Sequence, residues 1–496
     1  MPTRLLDIEE ATRGSIKLIE QPVCDTGRYI ALSYCWGKEG NLKMTQGSMQ
    51  SMKAGILVSN LPETIRDAVR VATALECRHV WVDALCIIQD SKEDWEIESS
   101  RMASVYSNAW LTLAASSAAS ATAGFLKSFK PTRTQDTFNF EWTNDRGCAT
   151  ILKARHIPVH YWQDTGYPLD QRAWTFQELV LSTRTALFTP DEIRWTCRSQ
   201  KTCECQCWAN HEPLQISAHS IKSPAEAYSI WKSIVRRYTG RSLTFVSDIL
   251  PAIAGFAEVI QSITHSEYVA GLWKGSLISN LTWYVGSGVG AMDRSTHLEY
   301  IAPTFSWASV GYGVSFMHSS DETEMDLIEE CQVVHVNASP LGRNPLGQVS
   351  DGCIQLRGFL ISTVLTCGMN SSALAIPRVQ IPHHLNVKHE HFYLDVALGK
   401  HTFLNHKGES ETSVCRLRRG SDPLPAPFEI PVSVLYLGHT KFKDEDEVRQ
   451  LLLVLGKSPN NPDAYERLGL LDLPYMKWED RWIQFTQSAL TTVLIL

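Results

Sequence analysis

The sequence predicts an α/β fold, a parallel sheet with flanking helices, followed by a mainly helical connector and a β-rich C-terminal region. Two patterns lead to it. From Tyr29 to Cys197, apolar runs of strand length alternate with stretches whose apolar residues recur at helical spacing, and parallel neighbours need such crossovers because a tight hairpin cannot join them. Beyond about Thr304 the helical spacing gives way to strand-like runs bounded by turn residues. With 496 residues the chain exceeds what one core organises. The expected division is an N-terminal segment (1–27), an α/β domain (28–198), the connector (199–310) and the β-rich region (311–496).

YIALSY (29–34) reads as the first buried strand. LPETIRDAVRVATAL (61–75) follows as a helix, with Pro62 suited to a first turn and Ile65, Ala68, Val69, Ala72 and Leu75 on one face. HVWVDALCII (79–88) is the second strand with its exit loop. Ser91, with Asp94 three residues on, caps a helix whose inner face is Trp95, Met102, Val105, Tyr106 and Ala109. WLTLAA (110–115) is the third strand and ends in the small-residue run SSAASATAG. After an irregular insertion, Asp170 is placed to cap the helix QRAWTFQELVLS (171–182), and RTALFT, PDE and IRWTC give strand, turn and strand. In the connector, AEAYSIWKSIVRRYTG (225–240) and DILPAIAGFAEVIQSI (248–263) read as helices, with Gly240 a stop and Asp248 a cap. The strands beyond are FSWASVGY (305–312), IQLRGFLI (354–361), VSVLYLGH (432–439), and the pair LLLVLG (451–456) and YERLGLLDL (465–473) across SPNNPD.

Composition narrows the functional classes. A net charge of −7 and a pI near 6.2 leave no basic footprint, so nucleic acid is not an expected partner. The start MPTRLLDIEE has no long apolar core after a basic start, and no run of roughly 18 apolar residues suggests a membrane span, so a cytoplasmic protein is expected. Thirteen cysteines without small-scaffold spacing read as reduced thiols.

In open parallel sheets, ligands bind beyond the carboxyl ends of the strands. That rule gathers Ser33 to Gly37, Asp83 to Gln89, Ser116 and Ser117 on one edge. Ser33, Tyr34, Trp36, Gly37, Asp83 and Cys86 are therefore candidate ligand contacts. Trp174 and Glu178 stand four apart in QRAWTFQELVLS and share one helical face. They read either as a reaction centre or as a core tryptophan beside a glutamate paired with Arg172 or Arg184. Asp83 after a buried strand is costly unless paired; it reads equally as a ligand contact and as a loop cap or ion-pair partner. Cys35 and Cys86 share the same edge, where inert buried thiols are commoner than nucleophiles.

The words YIALSYCWG, LPETIRDAV, HVWVDALCIIQD, MASVYSNA and RAWTFQELVLS, in this order over residues 28–198, resemble the heterokaryon incompatibility (HET) domain of filamentous fungi. WKSIVRRY, DILPAIAG, GLW and FSWASV are similar to the region that usually follows that domain. The resemblance implies a TIR-like, and so flavodoxin-like, fold and a role in self/non-self recognition after hyphal fusion and the ensuing cell death. Some TIR relatives cleave NAD with a helical glutamate four residues after a tryptophan. The resemblance thus implies Glu178 as the catalytic group, beside Trp174, with NAD as a candidate substrate and no cofactor required. Other readings of the same edge are an enzyme of secondary metabolism and a non-catalytic module that recognises a protein partner or a second copy of the chain.

Other motifs carry less. Cys197, Cys203, Cys205, Cys207 and His211 invite a metal, but alternating cysteines on one strand share a face and make a poor tetrahedron, so no metal is expected. His383, His384, His389 and His391, interleaved with Lys388 and Glu390, read as solvated surface. YVGSGVGA, with Gly286, Gly288 and Gly290, looks at first like a phosphate loop but lacks its spacing and its helix.

Overall fold

The structure, a computed structural model, describes residues 1–20, 27–127, 137–143, 145, 147–155, 166–205, 221–286, 299–317, 327–369, 375–380, 391–404, 407–417, 421–441, 447–477 and 490–496. Cys207, His211, His383, His384, Lys388, His389, Glu390, Gly288 and Gly290 lie outside the described residues. The chain falls into two compact units. The first comprises Met1–Ser220 with Arg241–Leu243 and Ala252–Val259; the second comprises Ile221–Gly240, Thr244–Pro251 and Ile260–Leu496.

The first unit is built on β1 (Arg4–Asp7), β2 (Ser15–Glu20), β3 (Ile30–Ser33), β4 (Ile56–Leu57), β5 (His79–Trp81), β6 (Leu111–Ala114), β7 (Thr137–Thr143), β8 (Ala149–Arg155), β9 (Arg184–Phe188), β10 (Ile193–Cys197) and β11 (Lys201–Cys203). Nine of these form one sheet in the order β11-β10-β9-β6-β3-β5-β1-β2-β4. Its centre, β5-β3-β6-β9, is parallel throughout, as the alternation of strands and helices predicts. The other neighbours pair antiparallel. Strands β3 and β6 are buried at every residue, which explains their unbroken apolar character.

The N-terminal segment that the sequence sets apart contributes β1 and β2 to this sheet. Arg4 secures it: one guanidinium donates to the Cys86 carbonyl at 2.9 Å and grips both Asp94 oxygens at 3.0 and 2.5 Å. A solitary arginine in a short polar start gives no sequence sign of partners 82 and 90 residues away.

The helices are α1 (Met49–Ala54), α2 (Glu63–Ala74), α3 (Asp83–Cys86), α4 (Lys92–Asn108) and α5 (Ala173–Val180). Helix α2 buries Ile65, Ala68, Val69 and Ala72 as expected, but Leu75 lies past its last turn and is 43% exposed. Ser91 caps α4 by accepting from the Asp94 amide, a contact of the kind worth about 1 kcal/mol. Trp95 on α4 is only half-buried, while Glu98 is buried and accepts from Thr3 at 2.6 Å. Helix α5 departs from the expected cap. Asp170 sits in a 3-10 turn, Pro168–Gln171, and the residue before α5 is Arg172, with no side-chain cap. The insertion contains the antiparallel hairpin β7–β8.

In the second unit Pro224–Tyr238 is helical, capped by Ser223 through the Glu226 amide, with Gly240 just beyond its end. Asp248 ends a 3-10 turn rather than capping a helix. FSWASVGY is not a strand: Trp307–Ser309 forms a 3-10 turn, because the Ser306 hydroxyl accepts from the Ala308 amide and such short side chains compete with ladder formation. IQLRGFLI is not one strand: Val349–Gly358 and Leu360–Met369 are separate strands that meet at Phe359. The other three runs are strands as read, in a ten-stranded sheet that pairs Glu447–Lys457 with Ala464–Lys477 antiparallel. Among the described residues one stretch, Val246–Thr264, is long and apolar enough to cross a membrane, and 56% of its apolar window is buried within the protein, as in a core helix.

A buried charge cluster holds the second unit. Asp395 accepts from Arg416 at 2.9 Å and from Arg467 at 3.0 Å, and all three are buried. The guanidiniums also donate to Ser309, to the Leu281 and Trp283 carbonyls and, from Arg416, to the Arg467 carbonyl. Burial lowers Arg467 to about 10, with Asp395 opposing the shift. Asp395→Ala leaves two buried cations without their anion, and a loss of roughly 3–5 kcal/mol is expected, read as a lower urea midpoint.

Candidate active site

The parallel register brings the polar words to one edge. Ser33 and Ala114 are paired at the ends of β3 and β6, and β5 lies on the other side of β3. Each strand delivers its next residues to the same place. The loop after β6 is pinned to α2: Thr64 donates to the Ser120 carbonyl at 2.9 Å, and buried Asp67 accepts from the Phe125 and Leu126 amides. Gly37 packs against this loop. It has φ +75, and a Cβ there would lie 2.5 Å from that of Ser120, so the turn tolerates only glycine.

Helix α5 supplies the acid. Glu178 is 5% exposed, and Ser33 donates to its Oε2 at 2.5 Å, a charge-assisted length. Burial pushes the Glu178 carboxyl up to about 7; Asp83 adds to the rise, while Ser33, Arg172 and Tyr106 oppose it. Ser182 ties the end of α5 down, donating to the Glu178 carbonyl and meeting Thr112 of β6 at 2.7 Å.

Asp83, first residue of α3, accepts from the Trp36 indole at 2.8 Å and from the Ala84 amide at 2.6 Å. Its carboxyl is raised by burial and held back chiefly by Arg172. The Tyr34 hydroxyl donates to Asn41 at 3.1 Å; burial raises it well above the usual phenol range, and Asp83 and Glu178 push in the same direction. Lys43 stands 5.1 Å over the Trp36 ring. Ser33, Tyr34, Trp36, Asp83 and Glu178 thus form one connected group from two strand ends, those of β3 and β5, and the helix α5; the edge rule gathers the first four, and Glu178 joins them from the helix.

One expected residue goes elsewhere. Cys86 is wholly enclosed in the hydrophobic core, and burial pushes its thiol up to about 12; α3 makes a single turn, and its last residue faces inward. Trp174 is half-buried against that same core. Cys35 is buried, and burial raises its thiol, which disfavours nucleophilic chemistry.

Two residues emerge that were not singled out for the site. Arg172 donates to the Tyr34 carbonyl at 2.6 Å, and its charge acts on Asp83, Glu178, Tyr34 and Cys35 together. Tyr106 on α4 donates to the Leu32 carbonyl at 3.1 Å and, beside Glu178, opposes the rise of its carboxyl. Both sit in the polar-aromatic words RAWTFQE and MASVYSNA, the only sign the sequence carried. The buried hydroxyls of Ser116 and Ser117, past β6, have no hydrogen-bond partner among the described residues. Such groups at a strand edge suit a ligand or water.

Two carboxylates and one guanidinium at so buried a place favour a single ionised acid until a cation arrives. The elevated Glu178 pKa gives a cost to folding that is absent below about pH 4.5, grows as pH rises toward about 7 and is constant above it. Glu178→Gln keeps an acceptor for Ser33 and cannot ionise. The variant should match the wild type near pH 4 and exceed it by up to about 3 kcal/mol near pH 8, measured as urea midpoints at the two pH values.

Residues 29–178 fit the family model described as Heterokaryon incompatibility protein (HET), a span that begins at the head of β3 and ends on Glu178. No curated protein and no solved structure matches the chain. The ordered words, the parallel core they build and the family match agree, and the chain carries a heterokaryon incompatibility domain over residues 29–178.

Proposed function

We propose that this domain hydrolyses the bond between nicotinamide and ribose in NAD, with Glu178 as its catalytic residue, and that the chain acts in heterokaryon incompatibility or a related cell-death response. One observation carries the reading: a buried glutamate, held by Ser33 and pushed up to about 7, at the carboxyl edge of a parallel sheet. The order of the parallel strands, second-first-third-fourth along the chain, is the doubly wound order of flavodoxin-like folds and supports the TIR-like assignment.

The chemistry asks little of a nucleophile. The C1′–N bond breaks with its electron pair going to nicotinamide, which leaves neutral, while the ribose takes on oxocarbenium character. Water then adds to C1′ and loses a proton. A carboxylate poorly solvated before substrate binds gains most from a neighbouring positive charge. Glu178 would face the cationic ring and then the oxocarbenium carbon. Asp83 would accept from ribose hydroxyls, Arg172 would meet phosphate, and Trp36 would cover the ring and exclude water.

Nicotinamide release from NAD by the purified chain tests this. Glu178→Gln should remain folded and lose activity by roughly 100- to 1,000-fold or more. Because the ionised acid is the working form, kcat/KM should rise with pH through about 7. A wild-type chain that releases no nicotinamide across that range, or a variant that keeps full activity, refutes the assignment.

A further inference from the structure

Strands β10 and β11 pair antiparallel with Arg194 opposite Cys203. Residues two apart on a strand share a face, and cross-strand partners share it too. Extending the register by two positions sets Glu192 opposite Cys205, and the Cys205 amide donates to Glu192 Oε2 at 3.2 Å. Glu192, Arg194, Cys203 and Cys205 therefore form a two-by-two patch on one face of the hairpin, and all four are buried. The two sulfurs are 3.1 Å apart, and one donor atom each from Glu192, Cys203 and Cys205 lies within 4.8 Å of the others.

We propose that this patch is a structural binding site for a zinc-class divalent ion, with Cys203, Cys205 and Glu192 as ligands. Shared facing of alternating cysteines, which counts against a metal when one strand is considered alone, here supplies the pair, and the neighbouring strand adds the third donor. Thiolates select zinc over magnesium or calcium. With Zn–S bonds of about 2.3 Å, a tetrahedral ion holds two sulfurs roughly 3.8 Å apart, so the pair needs only a small side-chain opening.

The charges also balance. Binding releases two thiol protons, leaving two thiolates and the Glu192 carboxylate against the dication, with Arg194 as the remaining positive charge. Arg194 donates from Nε to Glu192 Oε1 at 2.9 Å, the outer contact that fixes a ligating carboxylate. Arg194 also packs over the Tyr167 ring at 5.8 Å. The ion would clip the outermost strand of the sheet to the residue preceding β10.

The test uses the full chain purified with zinc and dialysed. Elemental analysis should give one zinc per chain, falling to background in a folded Cys203→Ser/Cys205→Ser variant. Because that variant could fail to fold, the metal-stripped wild type is also titrated with cobalt(II). An intense near-ultraviolet thiolate-to-cobalt band with tetrahedral visible bands is expected at one equivalent. A wild type that binds no zinc and gives no such band, or a folded double variant that keeps its zinc, overturns the assignment.

Discussion

The parallel register of β5, β3, β6 and β9 is the constraint on which the candidate site depends. Each strand contributes only three to five residues, yet the hydrogen-bond ladder brings their carboxyl ends to one edge. A slip of one residue in β3 would turn Ser33 to the other face and remove the donor on Glu178. The covering helices then act as fixtures: α2 through Thr64 and Asp67 on the loop after β6, α4 through Tyr106, and α5 through the Ser182–Thr112 contact.

The electrostatics follow from that enclosure. Glu178 and Asp83 are both raised by burial, and Arg172 is the cation that answers them. This differs from the Asp395–Arg416–Arg467 cluster of the second unit, where carbonyl oxygens satisfy the excess positive charge. That cluster is closed by its own hydrogen bonds. The edge of the first unit instead keeps the unpartnered hydroxyls of Ser116 and Ser117, which gives the ligand reading its physical basis.

Much of this was legible because buried parallel strands write themselves as unbroken apolar runs and because capping is local. Ser91 with Asp94 is an example of the second. The convergence of Ser33, Tyr34, Trp36 and Asp83 followed from strand ends, whereas Glu178, on a helix, was drawn to them only by the family resemblance. What the sequence hid was tertiary. Arg4 finds Asp94 across 90 residues, Arg172 serves several groups at once, and Cys86 turns inward on a helix of one turn. FSWASVGY misled because alternating small and aromatic residues suit a strand and a serine-capped turn equally. Asp170 misled because the chain takes a 3-10 turn before α5 begins.

The sheet of the first unit also ends in an unusual manner. Its outermost strands are β4, two residues long, and β11, three residues long. An exposed strand edge templates pairing with other chains, and very short edge strands are one way proteins blunt it. A sheet of nine strands terminated so briefly offers little ladder for a foreign strand to extend. Addition of a further strand beyond β4 or β11 would therefore have only two or three residues of ladder to build on.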